Sequence, residues 1–387
     1  MPSHSDIVVA GGGPVGAAFA LAVADSRFSV TLLEARQQAK SPISQRTLAL
    51  SYGTRLILER LNVWQTLQQI TPIRDIHISQ RGTIGVTRLH ASEENVPELG
   101  YVVEYRALDA ALQTALADSN IAVHYGTSVS ASGGNRHLAW LNWQTKAASG
   151  MLTSRRAVIA DGGNQTEPAS QKQQKQYDQH ALLAWVSSER PHMNEAFERF
   201  TPDGPMALLP HGEGFALVLT AAPDKIRHWI SLDENAFLTA LHVHFGDRVG
   251  RFLTVRDRSS FPLRYSLTQH SAKDHRIFIG NAAHVMHPVA GQGFNLGLRD
   301  AWELANQIHA CSHRHELGST DMLARYQRAR RLDVSASMLF TDQLVYWFTL
   351  ADPVLRHARG LGLATLQQWP PLKHFVARRM MFGAQAW

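Results

Sequence analysis

The sequence predicts an α/β fold in three parts: a discontinuous domain of parallel strands and helices, an inserted antiparallel β-sheet domain, and a helical C-terminal region. Three observations predict it. A strand, glycine turn, helix and strand open the chain at "DIVVAGGGPVGAAFALAVADSRFSVTLLEA". Glycine-rich strand ends recur far downstream, at "RRAVIADGG" and "RIFIGNAAHVMHPVAGQGFNLGLRDA". Between them, residues 181–266 alternate short apolar runs with Pro and Gly turns, the pattern of antiparallel sheet.

The elements follow in order. Asp6–Ala10 is a short, apolar, β-branched run and reads as a strand. Pro14–Ala24 is rich in Ala, Leu and Val with no breaker after Gly16, so it reads as a buried helix. Ser29–Leu33 is the next strand, completing a βαβ unit of about thirty residues. Thr54–Leu67 carries Leu56, Leu58, Leu61 and Trp64 at amphipathic spacing and predicts a helix. "DIHISQRG" predicts strand and turn, and Leu108–Ala117 a helix. "HRIFIGN" is a strand and Asn295 to about Ala310 a helix. The parallel domain therefore comprises residues 1–72, 101–180 and 267–320, and the inserted domain 73–100 and 181–266. Residues 321–387 form the helical C-terminal region.

The chain has 387 residues, 44% apolar and 18% charged, which is a globular composition rather than a disordered one. Its formal net charge is +6, but no Lys/Arg run is interleaved with aromatics, so no nucleic-acid partner is expected. The balance suits an anionic cofactor or an anionic membrane surface. One cysteine, Cys311, excludes an internal disulfide framework and a multi-cysteine metal site. The first strand begins too early for a signal peptide, and no uncharged window reaches the roughly 18 residues of a spanning helix. A cytoplasmic location is expected, with at most peripheral contact with the inner face of the membrane.

Gly11-Gly12-Gly13-Pro14-Val15-Gly16 is a G-x-G-x-x-G fingerprint between strand and helix. Gly11 permits the tight turn, Gly13 lets a pyrophosphate approach the backbone, and Gly16 lets helix and strand pack closely. Pro14 and Val15 start the helix, whose N-terminal N–H groups favour phosphate. Glu34 ends the second strand, where a carboxylate can accept from ribose hydroxyls. An acid there selects a free 2′-hydroxyl, hence FAD or NAD rather than NADP. "GEGFAL" at 212 lacks the third glycine, so only one such fingerprint exists.

Taken with "QRTLALSYGT", "AFERFTPDGPMALLP" and the 280–301 stretch, the chain resembles the aromatic-ring hydroxylase flavoproteins, and among them the ubiquinone-biosynthesis hydroxylases. The resemblance runs over nearly the whole chain. It implies a Rossmann-like FAD-binding domain, an inserted substrate domain and NAD(P)H as co-substrate. It also implies that Asp161-Gly162 lies near the pyrophosphate and the incoming nicotinamide. Gly280, Asn281, Pro288, Gly291, Gly293, Phe294 and Asn295 are then expected to wrap the ribityl chain and flavin. Arg46 and Arg106 match positions where the family places a base near the flavin or its phosphates. Asn281 replaces the family's usual Asp, and "NQTEP" replaces the usual Ser-x-x-Arg after Asp161-Gly162.

The glycines at 291 and 293 also have a physical reading. Phe294, Leu298, Ala301, Leu304, Ala305 and Ile308 keep a helical period, so Gly291-Gln292-Gly293 is that helix's N-terminal turn. Its N–H groups, set against the pyrimidine edge of a flavin, would stabilise negative charge there. Pro288, Gly291, Gln292 and Gly293 are thus the expected catalytic set, with Pro288 fixing the backbone. His284 and His287 sit at i, i+3, but no third ligand has suitable spacing, and no metal is expected.

The implied reaction uses NAD(P)H and O₂ to hydroxylate an electron-rich ring, and the resemblance makes that ring part of a polyprenyl phenol, 2-polyprenyl-6-methoxyphenol. A sibling hydroxylase acting at another ring position and a flavin-dependent reductase of a prenylated substrate are the alternatives. No Trp-x-Trp-x-Ile signature of a halogenase is present. Each buried CH₂ contributes about 0.8 kcal/mol, so tail length discriminates poorly and the head-group pocket must set the ring. The Leu-, Phe- and Trp-rich C-terminal segment can carry the tail, touch a membrane, bind other ubiquinone-biosynthesis proteins or simply cap the core.

Overall fold

A computed structural model describes residues 2–37, 46–135, 137–163, 172–268, 271–287, 291–350 and 352–385. Two eight-stranded sheets organise it. In the first, His4–Ala10 lies between Val30–Glu34 and Ser149–Ile159, parallel to both. Ala122–Tyr125 and Arg276–Phe278 extend the parallel set on either side. Three helices cover it: α1 (Pro14–Ala22), α3 (Tyr105–Ala117) and α6 (Gln292–His309), while α2 (Tyr52–Arg60) packs against α6. Ile7, Val9, Phe19, Leu32, Leu298 and Ile308 meet in one core. Val8, Ala10, Leu33 and Ile159 pack into a second core on the other face, which is why the strands are apolar on both faces.

The second sheet is mostly antiparallel. Its order is His284–Val285, Phe252–Thr268, Lys172–Ser188, Gly214–Ala221, Gly204–His211, Glu195–Thr201, Asp75–Gln80 and Val86–His90. A three-stranded sheet of Thr47–Ser51, Gly100–Glu104 and Thr71–Ile73 adjoins both domains. The C-terminal helices α7 (Thr320–Thr349), α8 (Pro353–Gln368) and α9 (Pro370–Phe382) close over one face of the second sheet.

Several expectations need correction. The helix expected over 54–67 ends at Arg60; Asn62 is left-handed at φ 56°, and Trp64–Thr66 is a separate 3-10 turn. Residues 181–266 are not sheet throughout. They contain α4 (Pro223–Ser231), which starts on a proline, and α5 (Glu234–Phe245), capped by Asp233 accepting from Ala236 N. These helices bury Trp229, Phe237 and Phe245 against Phe197, Phe215 and Phe252. The strands Lys172–Ser188 and Phe252–Thr268 run across the divisions expected at 180/181 and 266/267. Long strands carry the second sheet past the places where composition changes.

Candidate active site

The glycine turn is built as its spacing requires. A Cβ on Gly11 would lie 2.5 Å from Ala160 O, and one on Gly16 2.0 Å from Gly11 O, so both positions admit only glycine. Gly11 also has φ +104°. A Cβ on Gly13 would meet nothing within 4 Å. The turn is packed from below and open at its second glycine, the geometry that lets a phosphate reach the first N–H groups of α1.

Glu34 is buried beneath this turn. Its Oε2 accepts from Gly12 N at 2.7 Å, and its Oε1 from Arg36 N at 2.7 Å and Arg36 Nε at 3.0 Å. Arg36 was not foreseen. It pairs with both oxygens of Asp109, at 2.9 and 3.2 Å, and reaches Gly12 O at 3.3 Å. Gln113 donates to the same carbonyl at 2.8 Å. Burial works against the Arg36 charge, but Asp109 and Glu34 outweigh it and hold the guanidinium firmly protonated. The only sequence signal was a base two residues after the ribose acid; its partner Asp109 lies far along the chain.

Asp161 and Gly162 stand against the same turn. Asp161 Oδ1 accepts from Gly163 N at 2.9 Å, and Gly162 has φ +79°. The third strand end brings Gly280 to α1: φ is +59°, and a Cβ would lie 3.1 Å from a Val15 methyl. Asn281 follows, exposed, in a 3-10 turn whose other residues, Gly280 and Ala282, are buried. Helix α6 begins at Gln292, with Gly291 as its N-cap at φ 60° and no side-chain cap. Gly293 has room, its Cβ position lying 3.6 Å from Met286 Cγ.

A cavity of about 600 Å³ joins these pieces. Val15, Gly280, Asn281, Gly291, Gly293 and Phe294 line one end, with Arg46 beside them. The second sheet forms another wall through Ile78, Leu183, Leu209 and Val218, and the C-terminal helices contribute Phe340, Leu344, Phe348 and Leu366. Phe200 stacks on Phe348 with ring centroids 3.8 Å apart.

Two expected cofactor residues are placed differently. Arg106 pairs with Glu104 at 2.6 Å, is 60% exposed and is absent from the cavity lining. Asn295 is buried with its side chain fully used. Oδ1 accepts from Ser51 N at 2.9 Å and Thr54 Oγ1 at 2.7 Å, while Nδ2 donates to Ala49 O and Gly291 O, both at 2.9 Å. It clamps α6 to the strand Thr47–Ser51 rather than presenting a side chain to a cofactor. Arg46 lies over the Tyr105 ring at 5.2 Å. Gln292 sits at a smaller neighbouring cavity, its Nε2 donating to Met380 O at 3.4 Å. Pro288 lies outside the described residues. His284 is bonded to Asp300 at 2.6 Å and His287 to Gln179 at 3.1 Å. Burial lowers His287 to about 4, so it is neutral at physiological pH.

The open second glycine, the acid under the turn and the glycine-lined end of the cavity fit an FAD laid from Gly13 toward Gly293. A dinucleotide site of this kind, opening into an apolar cavity under a second sheet, has the architecture of a flavoprotein. The chain belongs to the FAD-binding-domain family, which matches residues 4–341, and within it to the FAD hydroxylases of ubiquinone biosynthesis. It is 31% identical to the 3-demethoxyubiquinol 3-hydroxylase of Escherichia coli, covering 95% of this chain and 96% of that one. It is 30% identical to the ubiquinone hydroxylase UbiL of Rhodospirillum rubrum, covering 97% and 89%. The fold matches p-nitrophenol 4-monooxygenase PnpA of Pseudomonas putida DLL-E4 over the full length of both chains, with a TM-score of 0.78 at 16% identity. The protein is an FAD-dependent hydroxylase. Among the described residues, no helix is long and apolar enough to cross a membrane.

Proposed function

We propose that the protein hydroxylates the ring of a polyprenyl phenol, 2-polyprenyl-6-methoxyphenol, using NAD(P)H and O₂. The observation that carries this reading is the cavity, whose glycine-lined end continues into apolar sheet and helix walls. FAD, when bound, takes hydride from NAD(P)H and activates O₂ for transfer to the ring.

The chain's own groups do the rest. The open turn at Gly13 and the first N–H groups of α1 hold the pyrophosphate, and Glu34 supports the turn while offering its remaining acceptor capacity to ribose. Asp161-Gly162 is assigned to the pyrophosphate and nicotinamide side. The α6 N-terminus at Gly291–Gly293 stabilises negative charge as it develops, and the Asn295 clamp fixes that helix end. The apolar walls exclude water and hold the ring near the reacting oxygen. The exposed Trp347, Val354, Leu361, Trp369, Leu372 and Phe375 of the outer helices support peripheral membrane contact by a cytoplasmic protein.

A sibling reading, hydroxylation at another ring position, is favoured by the near-equal identities of 31% and 30% to relatives with different names. Product analysis decides between them. FAD-loaded protein, NAD(P)H and a short-tailed 2-prenyl-6-methoxyphenol should give a product heavier by one oxygen, its position read by NMR. NAD(P)H oxidation with no hydroxylated product from any pathway phenol would overturn the reading.

A further inference from the structure

One carboxylate stands on the sheet wall of the cavity. Along Glu195–Thr201, Phe197 packs on Phe245 at 5.5 Å and Arg199 donates to His244 O, so these side chains face the core beneath α4 and α5. The alternate residues Ala196, Glu198 and Phe200 line the cavity, as the two-residue period of a strand requires, and Phe197 also touches it. Across the strand pairs, Glu198 stands opposite Ile78 on one side and Ala207 on the other, and both also line the cavity. Among the described lining residues Glu198 is the only acid. No described residue hydrogen-bonds or ion-pairs with its carboxyl. Glu198 is half-buried, and a carboxyl on an apolar wall without a protein partner calls for a ligand group that satisfies it once the cavity is filled.

We infer that the Glu198 carboxyl anchors the phenolic hydroxyl of the substrate, which donates to a carboxyl oxygen and so sets the ring's orientation over the sheet. This rests on the reading of the protein as a phenol hydroxylase and deepens it, by naming the residue that selects a free hydroxyl. The other charged lining groups are Arg46 and Arg264, so the cavity has one acid and no acidic cluster to attract a cationic ligand. A neutral donor is the chemistry that matches a lone acid among apolar side chains. Tail contacts, being non-directional, leave ring orientation to this bond.

Titration gives the anchor a signature. Burial alone pushes the Glu198 carboxyl up to about 8. Ile78 and Ala207 flank it on the neighbouring strands, and the cavity it lines also presents Phe340, Leu344, Phe348 and Leu366. Among the described lining residues, the other charged or titratable groups are Arg46, Arg264 and His287, the last held neutral by burial. Below about 8 the protonated carboxyl can donate to an ether oxygen or accept from a hydroxyl. Above it, the carboxylate only accepts, so a phenol gains and a methyl ether loses.

The test uses the FAD-loaded enzyme, a short-tailed 2-prenyl-6-methoxyphenol and its O-methyl ether, with binding read from the flavin absorbance between pH 6.5 and 9. Wild type should prefer the phenol by about tenfold, the effect of one hydrogen bond to a charged group, with the preference rising through about pH 8. Glu198→Leu should lose the preference by binding the phenol about tenfold more weakly while keeping the ether. Glu198→Gln should keep a preference that no longer changes with pH. If wild type hydroxylates the phenol and FAD-loaded Glu198→Leu prefers it unchanged, the anchor is refuted while the phenol-hydroxylase reading stands. A pH dependence surviving in Glu198→Gln also refutes it. If wild type binds neither probe, both readings fall together.

Discussion

The backbone N–H of Gly280 donates to Oδ2 of Asp300 across 3.0 Å, so the strand end at the flavin site is held by the helix that begins at the cavity rim. The same oxygen bonds His284 Nε2 at 2.6 Å, and Oδ1 accepts from Arg330 Nε at 2.7 Å. Arg330 continues to Asp333 Oδ2 at 2.7 Å, and Asp333 Oδ1 accepts from Ala384 N at 3.0 Å. All four side chains are buried. The network fastens α6, α7 and the chain's end to the loop that carries Gly280 and Asn281.

Replacing Asp300 by Asn should therefore destabilise the whole site. The substitution keeps the shape and removes the charge facing Arg330, and breaking a buried pair typically costs about 3–5 kcal/mol. Thermal unfolding with and without added FAD measures the loss. The wild-type pH dependence has a defined sign. Burial would raise the Asp300 carboxyl, but His284 and Arg330 hold it down to about 2. A depressed carboxyl stabilises the fold fully above its unfolded value near 4 and loses that contribution as pH falls toward 2. Asp300→Asn should show a shallower loss across that window, and an acid limb identical to wild type would show that this carboxylate is not coupled to folding.

Gly13→Val separates cofactor space from fold space. The Gly13 backbone sits at φ −64° and ψ 174°, which any residue adopts, and its Cβ direction is open. The variant should fold with a native circular dichroism spectrum and purify without flavin. Gly11→Val should instead fail to fold, because its side chain meets the Ala160 backbone. A yellow, FAD-loaded Gly13→Val protein would place the pyrophosphate elsewhere.

Glu34→Ala should weaken FAD by about 1.5–3 kcal/mol, the contribution of a charge-assisted hydrogen bond. The structure adds a second consequence. Gly12 N loses its 2.7 Å acceptor, and Arg36 keeps only Asp109 as an ionic partner, so the turn itself should loosen. Hydrogen exchange at Gly12 should then rise even without FAD. Titration of the apoprotein with FAD measures the first effect, and an unchanged affinity would exclude Glu34 from the ribose.

What the sequence reveals follows from how local each constraint is. The fingerprint glycines were legible because their spacing between strand and helix is itself the signature; Gly16 has no room for a side chain against Gly11 O within the same βαβ unit, although the wall that excludes one at Gly11, Ala160, comes from far along the chain. Asn295 was misread because its four partners, at Gly291, Ala49, Ser51 and Thr54, are mostly contributed from the far end of the chain. Arg36 was missed for the same reason, its meaning resting on Asp109. Helix α4 was hidden by a proline that reads as a turn but here stands at a helix start. Glu198 looked like any polar residue on a half-exposed strand; only the closure of α7 and α8 over that face turns it into part of a cavity wall.

Gly293→Ala tests the loop that faces the other end of that cavity. Its added methyl would rest 3.6 Å from Met286 Cγ, an ordinary contact, and Gly293 has no positive φ. The variant should fold, and a helical Gly→Ala change can even add a fraction of about 1 kcal/mol. Gly291→Ala is the contrasting control: at φ +60° and with Ala49 Cβ at 2.9 Å, it should lose stability. Gly293→Ala should keep most of its FAD, since the phosphate contacts at residues 11–16 are untouched. The methyl nevertheless pushes the flavin edge away from the α6 N–H groups, and a lost donor at a developing charge can reach about a hundredfold in rate. The flavin's reduction potential should fall, and NAD(P)H should be consumed in excess of hydroxylated product. A redox titration and parallel NAD(P)H and product counts on the FAD-loaded variant measure both. If potential, rate and coupling all equal wild type, the Gly291–Gly293 turn does not face the charge-bearing edge of the flavin, and the glycines serve only the packing of α6 against Ala49.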